Sequence, residues 1–193
     1  MYTDGERSQV EVTDAPLTEV GRQQAKALAL KTAVLEPSLQ PEVIIVSPLS
    51  RSILTTLLAF RHLVSADGKT SLVPCIALES VRETFGVHLC DRRRDTSELA
   101  LDFPAVDFSG LTHADPFDHE ERESLNAGVQ RCKEFLEWLH AREETVVAVG
   151  THSSWLLRLF NGALDCGSDD QICSKFEVGE LRTVVLEWED EGP

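Results

Sequence analysis

The stretch Val43-Ile44-Ile45-Val46-Ser47-Pro48-Leu49-Ser50-Arg51 decides the fold. Its first four residues are apolar and β-branched with no polar alternation, the pattern of a short strand buried on both faces of a parallel sheet. The run breaks at once into Ser47, whose hydroxyl suits a helix cap, and Pro48, whose fixed φ suits the first helical position. A helix follows, turning Leu54, Leu57 and Leu58 inward. The same passage from strand to helix recurs downstream. Val146-Val147-Ala148-Val149 reads as a second buried strand, and it leads through Gly150-Thr151-His152 into a helix containing Leu156, Leu157 and Phe160.

Working outward, Thr18 is a candidate N-cap, with Glu19 in the favourable first turn and Ala25, Leu28 and Ala29 forming a modest apolar face. Another strand is expected within residues 72–78. Leu125, Val129, Cys132, Phe135, Leu136 and Leu139 fall at helical spacing. Residues 175–178 and 181–188 suggest a hairpin turning at Gly179-Glu180. Residues 79–118 show no period and read as an irregular insertion, a kind of segment that is usually functional or mobile. Strands alternating with helices imply a three-layer α/β/α architecture, with a mostly parallel sheet and an antiparallel edge. Residues 1–193 are expected to form one domain.

Composition narrows the function classes. Lys and Arg number 18 and Asp and Glu 33, a net charge of −15, so nucleic acid and anionic membranes are unfavourable partners. No apolar run is long enough to span a bilayer, and the polar start of the chain lacks a secretory h-region, which points to the cytoplasm. The five cysteines (Cys75, Cys90, Cys132, Cys166, Cys173) form no CxxC pair and no zinc-type spacing. They are expected to be buried thiols, without a metal or other cofactor. Against the acidic background Arg92, Arg93 and Arg94 form a cationic block. It suits a small anionic substrate, and it suits a solvated surface run as well. The two turns after the strands, at residues 47–51 and 151–154, lie where parallel α/β sheets bind ligands, and both open onto helix N-termini that favour anions.

Three segments carry a resemblance. Leu17-Thr18-Glu19-Val20-Gly21-Arg22-Gln23-Gln24-Ala25 resembles the LTxxGxxQA segment of histidine phosphatases, Ser47-Pro48-Leu49-Ser50-Arg51 their SPLxR turn, and Val149-Gly150-Thr151-His152-Ser153 their VxTHxG/S turn. Their order and spacing agree. A phosphoglycerate mutase-like branch of plants and fungi is closer still. His88-Leu89-Cys90-Asp91-Arg92-Arg93-Arg94, Ser97-Glu98 and Phe103-Pro104-Ala105-Val106-Asp107-Phe108-Ser109 resemble its HPCDxRR, SE and FPxxDFS elements, with Leu89 in place of a proline.

The resemblance implies hydrolysis of a phosphomonoester through a phosphohistidine. It assigns Arg51 to phosphate binding, His152 to the second histidine and Glu83 to the general acid, with Ser47, Arg92 and Arg93 as further substrate-binding candidates. A small phosphorylated substrate or inorganic phosphate is the implied partner.

One part of the family pattern is missing. The family's nucleophile stands in an Arg-His-Gly motif ending the first strand, ahead of the LTxxG helix. None of the six histidines here (His62, His88, His113, His119, His140, His152) precedes that helix. The first phosphate-binding arginine is absent with it, so the expected fold is phosphoglycerate mutase-like with its first strand missing. Met1 lies close to where the motif would end, which reads as an N-terminally truncated product that is inactive as written. The alternative is a non-catalytic pseudo-phosphatase that binds a phosphate ligand or a protein.

Overall fold

A computed structural model describes residues 12–117, 120–167 and 171–189. The sheet has three strands, β1 (Val43–Val46), β2 (Cys75–Ala77) and β3 (Val147–Gly150), in the order β2-β1-β3 and all parallel. Ile45 pairs with Ile76 on one side and Val149 on the other, so the strand ends are level.

The uninterrupted apolar run of β1 has a direct structural use. Ile44 and Val46 face one cluster, with Leu28 of α1 (Glu19–Thr32), Ile53 and Ala59 of α2 (Ser50–Ala59) and Leu99 of α3 (Thr96–Asp102). Val43 and Ile45 face the other, with Cys132, Phe135 and Leu136 of α4 (Leu125–His140) and Trp155 of α5 (Ser153–Arg158). Pleating sends alternate side chains to opposite faces, so a strand covered by helices on both sides must be apolar throughout. The expected three-layer α/β/α arrangement is therefore present. Among the described residues no helix is long and apolar enough to cross a membrane.

Thr18 caps α1 as expected, accepting a 3.1 Å hydrogen bond from the Gly21 amide. The second expected cap is different. Helix α2 begins at Ser50, and the group at its N-terminus is the carboxylate of Asp14. Asp14 accepts from the Ser50 amide at 2.8 Å and from the Ser50 hydroxyl, and it also receives the Arg94 guanidinium. A charged acceptor binds orphan amides more strongly than a hydroxyl does, and this leaves Ser47 for another partner. Gly150 closes the α2 contact from the sheet side. A Cβ there would lie 1.9 Å from Thr56 Oγ1, so only glycine lets β3 approach the helix.

Two other readings are corrected. The irregular insertion contains the seven-residue helix α3, too short to show a period. The hairpin expected over 175–188 forms its turn, with Gly179 at φ +72° and the Glu180 amide bonded to the Glu177 carbonyl, but no strand pairs there, so the antiparallel edge is absent among the described residues. Arg182 instead spans the carbonyls of Gln171, Ile172, Ser174 and Lys175, and its guanidinium stacks 3.8 Å from the Phe176 ring centroid.

The region expected to lack the family's first strand falls mainly on residues 1–11, outside the described residues. Residues 12–18 carry no strand, and β3 ends the sheet with all four of its residues half-buried, whereas those of β1 are fully buried.

Candidate active site

The carboxyl ends of β1 and β3 lie side by side, and each is followed by a candidate residue. Ser47 leaves β1 with its amide bonded to the Gly150 carbonyl at 2.9 Å. His152 follows β3 by two residues, and its Nε2 shares a 2.7 Å hydrogen bond with Ser47 Oγ. Both side chains are buried, and His152 is the one buried histidine among the described residues. Burial first, and then the positive charges of Arg51, Arg82 and Arg131, push the His152 pKa well below the usual histidine value of 6.5. The ring is neutral at pH 7 because a charged imidazole would be both desolvated and repelled.

Arg51 is the second residue of α2 and donates to the Cys90 carbonyl at 2.6 Å and to Asp91 Oδ1 at 2.9 Å. Asp91 also receives Arg122 at 3.1 Å, so one buried carboxylate bridges two arginines. The cation assigned to phosphate binding already holds an internal anion.

Glu83 lies on a segment gathered by donors from three directions. Thr151 Oγ1 donates to the Val81 carbonyl at 2.6 Å and Trp155 Nε1 to the Ser80 carbonyl at 2.7 Å. Arg131 of α4 donates to the carbonyls of Glu79, Ser80, Arg82 and Glu83. The Glu83 carboxylate is half-buried and accepts from the Thr84 amide at 2.8 Å. These bonds tie the candidate acid's backbone to the residue preceding His152.

The arginine triplet divides three ways. Arg92 is exposed. Arg93 is 2% exposed, with Nε on Glu79 and its four remaining N–H groups on the carbonyls of Arg94, Thr112, His113 and Ala114. A guanidinium has five donors, so none remains for a substrate, and Arg93 organises the 112–115 segment instead. Arg94 pairs with Asp14 and Asp102.

Two buried arginines beside His152 escaped the sequence reading. Arg82 is fully buried, held by Glu79, Asp115 and the Asp91 carbonyl, while its Nε–H is the one buried side-chain nitrogen or oxygen without a partner among the described residues. Burial alone would raise the Asp115 pKa, but hydrogen bonds and charge from Arg82 outweigh it and hold the carboxyl far below its usual range. Arg131 sits on the inward stripe of α4 with Cys132 and Phe135 and forms a two-pronged pair with Glu123 at 2.6 and 2.8 Å.

A cleft of about 490 Å³ lies beside the N-terminus of α2, lined by residues including Asp14, Leu17, Arg22, Arg94 and Phe103. It includes neither His152 nor Ser47, and the chemistry at His152 is the better guide to the site.

The sequence matches a known family over nearly the whole chain: the model of the histidine phosphatase superfamily (branch 1) covers residues 2–193. The chain belongs to the histidine phosphatase superfamily. Among its relatives, phosphoglycerate mutase-like protein 1 of Arabidopsis thaliana is 32% identical over 198 residues, covering 90% of this chain and 70% of the relative. A second Arabidopsis phosphoglycerate mutase-like protein is 33% identical, covering 90% and 73%. A probable phosphoglycerate mutase of the fungus Arthroderma benhamiae is 32% identical over 154 residues, 77% of this chain and 45% of that protein. The solved alpha-ribazole phosphatase of Shigella flexneri superposes with a TM-score of 0.55 at 19% identity, covering 86% of this chain and 77% of that one, which supports the shared fold. The plant and fungal branch of the histidine phosphatases is thus the one to which the Cys90-Asp91-Arg92-Arg93 stretch pointed.

Proposed function

We propose that this chain binds phosphate, free or as a monoester, at the His152–Ser47 pair, and leaves the ester bond intact. The observation that carries the reading is a buried, neutral imidazole between two parallel strand ends, acted on by the charges of Arg51, Arg82 and Arg131. An anion beside that ring offsets the excess positive field, and His152 can then take up a proton and donate to a phosphate oxygen. Arg51 supplies the cation by leaving Asp91, and Arg82 has one N–H to offer. Arg93 has a structural role. Glu83 keeps the position of an acid for the leaving oxygen, but the step before it needs the family's nucleophile. The sequence contains no Arg-His-Gly motif, and the phosphohistidine step has no histidine assigned to it here.

The test is titration of the full chain with inorganic phosphate, alongside a p-nitrophenyl phosphate assay. Binding is expected, weakened at least about tenfold in His152→Ala and Arg51→Gln, which corresponds to about 1.4 kcal/mol, with no turnover above buffer. Turnover abolished by His152→Ala overturns the non-catalytic half of the reading. Phosphate affinity that neither substitution changes overturns the site.

A further inference from the structure

We propose that Cys166 and Cys173 are a redox pair, oxidised by hydroperoxides to an intramolecular disulfide that ties the end of the α5 segment to the chain beyond it. This is independent of the phosphate site. Beyond Arg158 the helix continues as a single π-type turn, Leu159–Ala163, and the carbonyl of its second residue, Phe160, accepts two thiols, Cys166 Sγ at 3.1 Å and Cys173 Sγ at 3.4 Å. One shared acceptor keeps the sulfurs within about 6.5 Å of each other whatever the angle at oxygen. Side-chain rotation can bring two such sulfurs to bonding distance, provided the backbone holds the residues near one another.

Hydrogen bonds anchor the chain beside each cysteine. Asn161 Nδ2 donates to the Cys173 carbonyl at 3.0 Å, and Arg182 donates to the flanking carbonyls of Ile172 and Ser174, each at 2.9 Å. On the other strand of the loop, Leu164 closes the π-type turn onto Leu159, and Gly167 turns at φ +58° with its amide on Asp165.

Accessibility separates this pair from the core cysteines. Cys166 and Cys173 are half-buried, while Cys75 and Cys132 lie in the core, with burial pushing their thiols up to about 12 and about 11. Thiolate character and access govern thiol oxidation, so the core pair resists it.

The chemistry balances with a hydroperoxide as oxidant. One thiolate attacks a peroxide oxygen, the O–O bond breaks, and a sulfenic acid forms with release of water or alcohol. The second thiolate attacks that sulfur, the S–S bond forms, and the S–O bond breaks with loss of water. Two thiols lose two electrons and two protons, which reduce the hydroperoxide. The product has no S–H group, so Phe160 loses both donors as the covalent tie forms.

The experiment treats the full chain with stoichiometric hydrogen peroxide, blocks remaining thiols by alkylation, and maps peptides with and without reductant. The expected result is a loss of about 2 Da on the fragment spanning 166–173, reversed by dithiothreitol. The bridge should be absent in Cys166→Ser and Cys173→Ser and kept in Cys90→Ser. Sulfenic or sulfinic acid on either cysteine of the wild type without a bridge overturns the proposal, and so does a disulfide joining either one to Cys90.

Discussion

The Arg131–Glu123 pair should be the costliest polar contact to break in this protein, and its cost follows from its surroundings. Glu123 is 1% exposed at its side chain and takes both prongs of Arg131, with Arg158, at 3.6 Å, as its one further cation among the described residues. Arg131→Met removes the fork, strands a buried carboxylate and deprives four carbonyls of segment 79–83 of a donor. Breaking a buried pair from one side costs about 3–5 kcal/mol, and the stranded carbonyls place this variant at the upper end. Glu123→Leu strands a cation that still has carbonyl acceptors, so about 3 kcal/mol is expected. The double variant removes both charges and keeps only the carbonyl losses. It should lie about 3–4 kcal/mol below the sum of the singles.

Trp155 supplies the assay. It is buried, and its Nε1 shares the Ser80 carbonyl with Arg131, so its fluorescence reports on this clamp during urea unfolding. Against a typical total of about 5–15 kcal/mol, a loss of 4–5 shifts the midpoint far outside error. Single-variant losses that add to within about 0.5 kcal/mol in the double would refute the reasoning, since coupled charges cannot be additive.

Other predictions follow from the same geometry. Asp91→Asn removes the internal anion on Arg51, and phosphate should then bind about five- to twentyfold tighter by loss of a competing charge-assisted bond; weaker binding would contradict the proposed competition. Sulfate, which does not titrate near neutrality, should bind with uptake of nearly one proton by wild type and none by His152→Ala, measured by calorimetry in buffers of different ionisation enthalpy. In the absence of ligand, the depressed His152 pKa means that the unfolded chain binds the proton first. Its contribution to stability is therefore complete above pH 6.5 and declines as pH falls from 6.5 towards the folded-state value, a slope that His152→Gln should flatten. Gly150→Ala should cost about 1–3 kcal/mol by overpacking against Thr56, and Thr56→Ala should restore more than half of it in thermal unfolding.

What was legible in the sequence was the information carried by runs and periods. β1 announced itself because four adjacent buried residues serve two cores at once, and α4 because sixteen residues give its stripe several turns to repeat. Arg131 was missed, although an arginine on that stripe beside Cys132 and Phe135 needs a buried partner, and that was the signal that could have found it. Local chemistry was less decisive. Ser47 has the composition of a cap, yet Asp14, 36 residues from Ser50, takes that place with a stronger acceptor, and no local pattern records a contact of such range. The hairpin's turn was readable from Gly179, while no strand pairs beyond it among the described residues.

The arginine triplet shows why the site was harder to read than the fold. Sequence gives three adjacent cations the same sign and the same neighbours, but binding needs a cation with donors left over. Backbone geometry sends Arg93 into five internal acceptors, Arg94 onto Asp14 and Asp102, and Arg92 into solvent. The same accounting applies to Arg51, which the family pattern marks for phosphate and the structure gives to Asp91. A cation already satisfied by a buried carboxylate binds an external anion only at the cost of that pair. On the proposed reading, phosphate affinity at this site is set by Asp91 as much as by Arg51, and a family motif that names only the arginine describes half of the equilibrium.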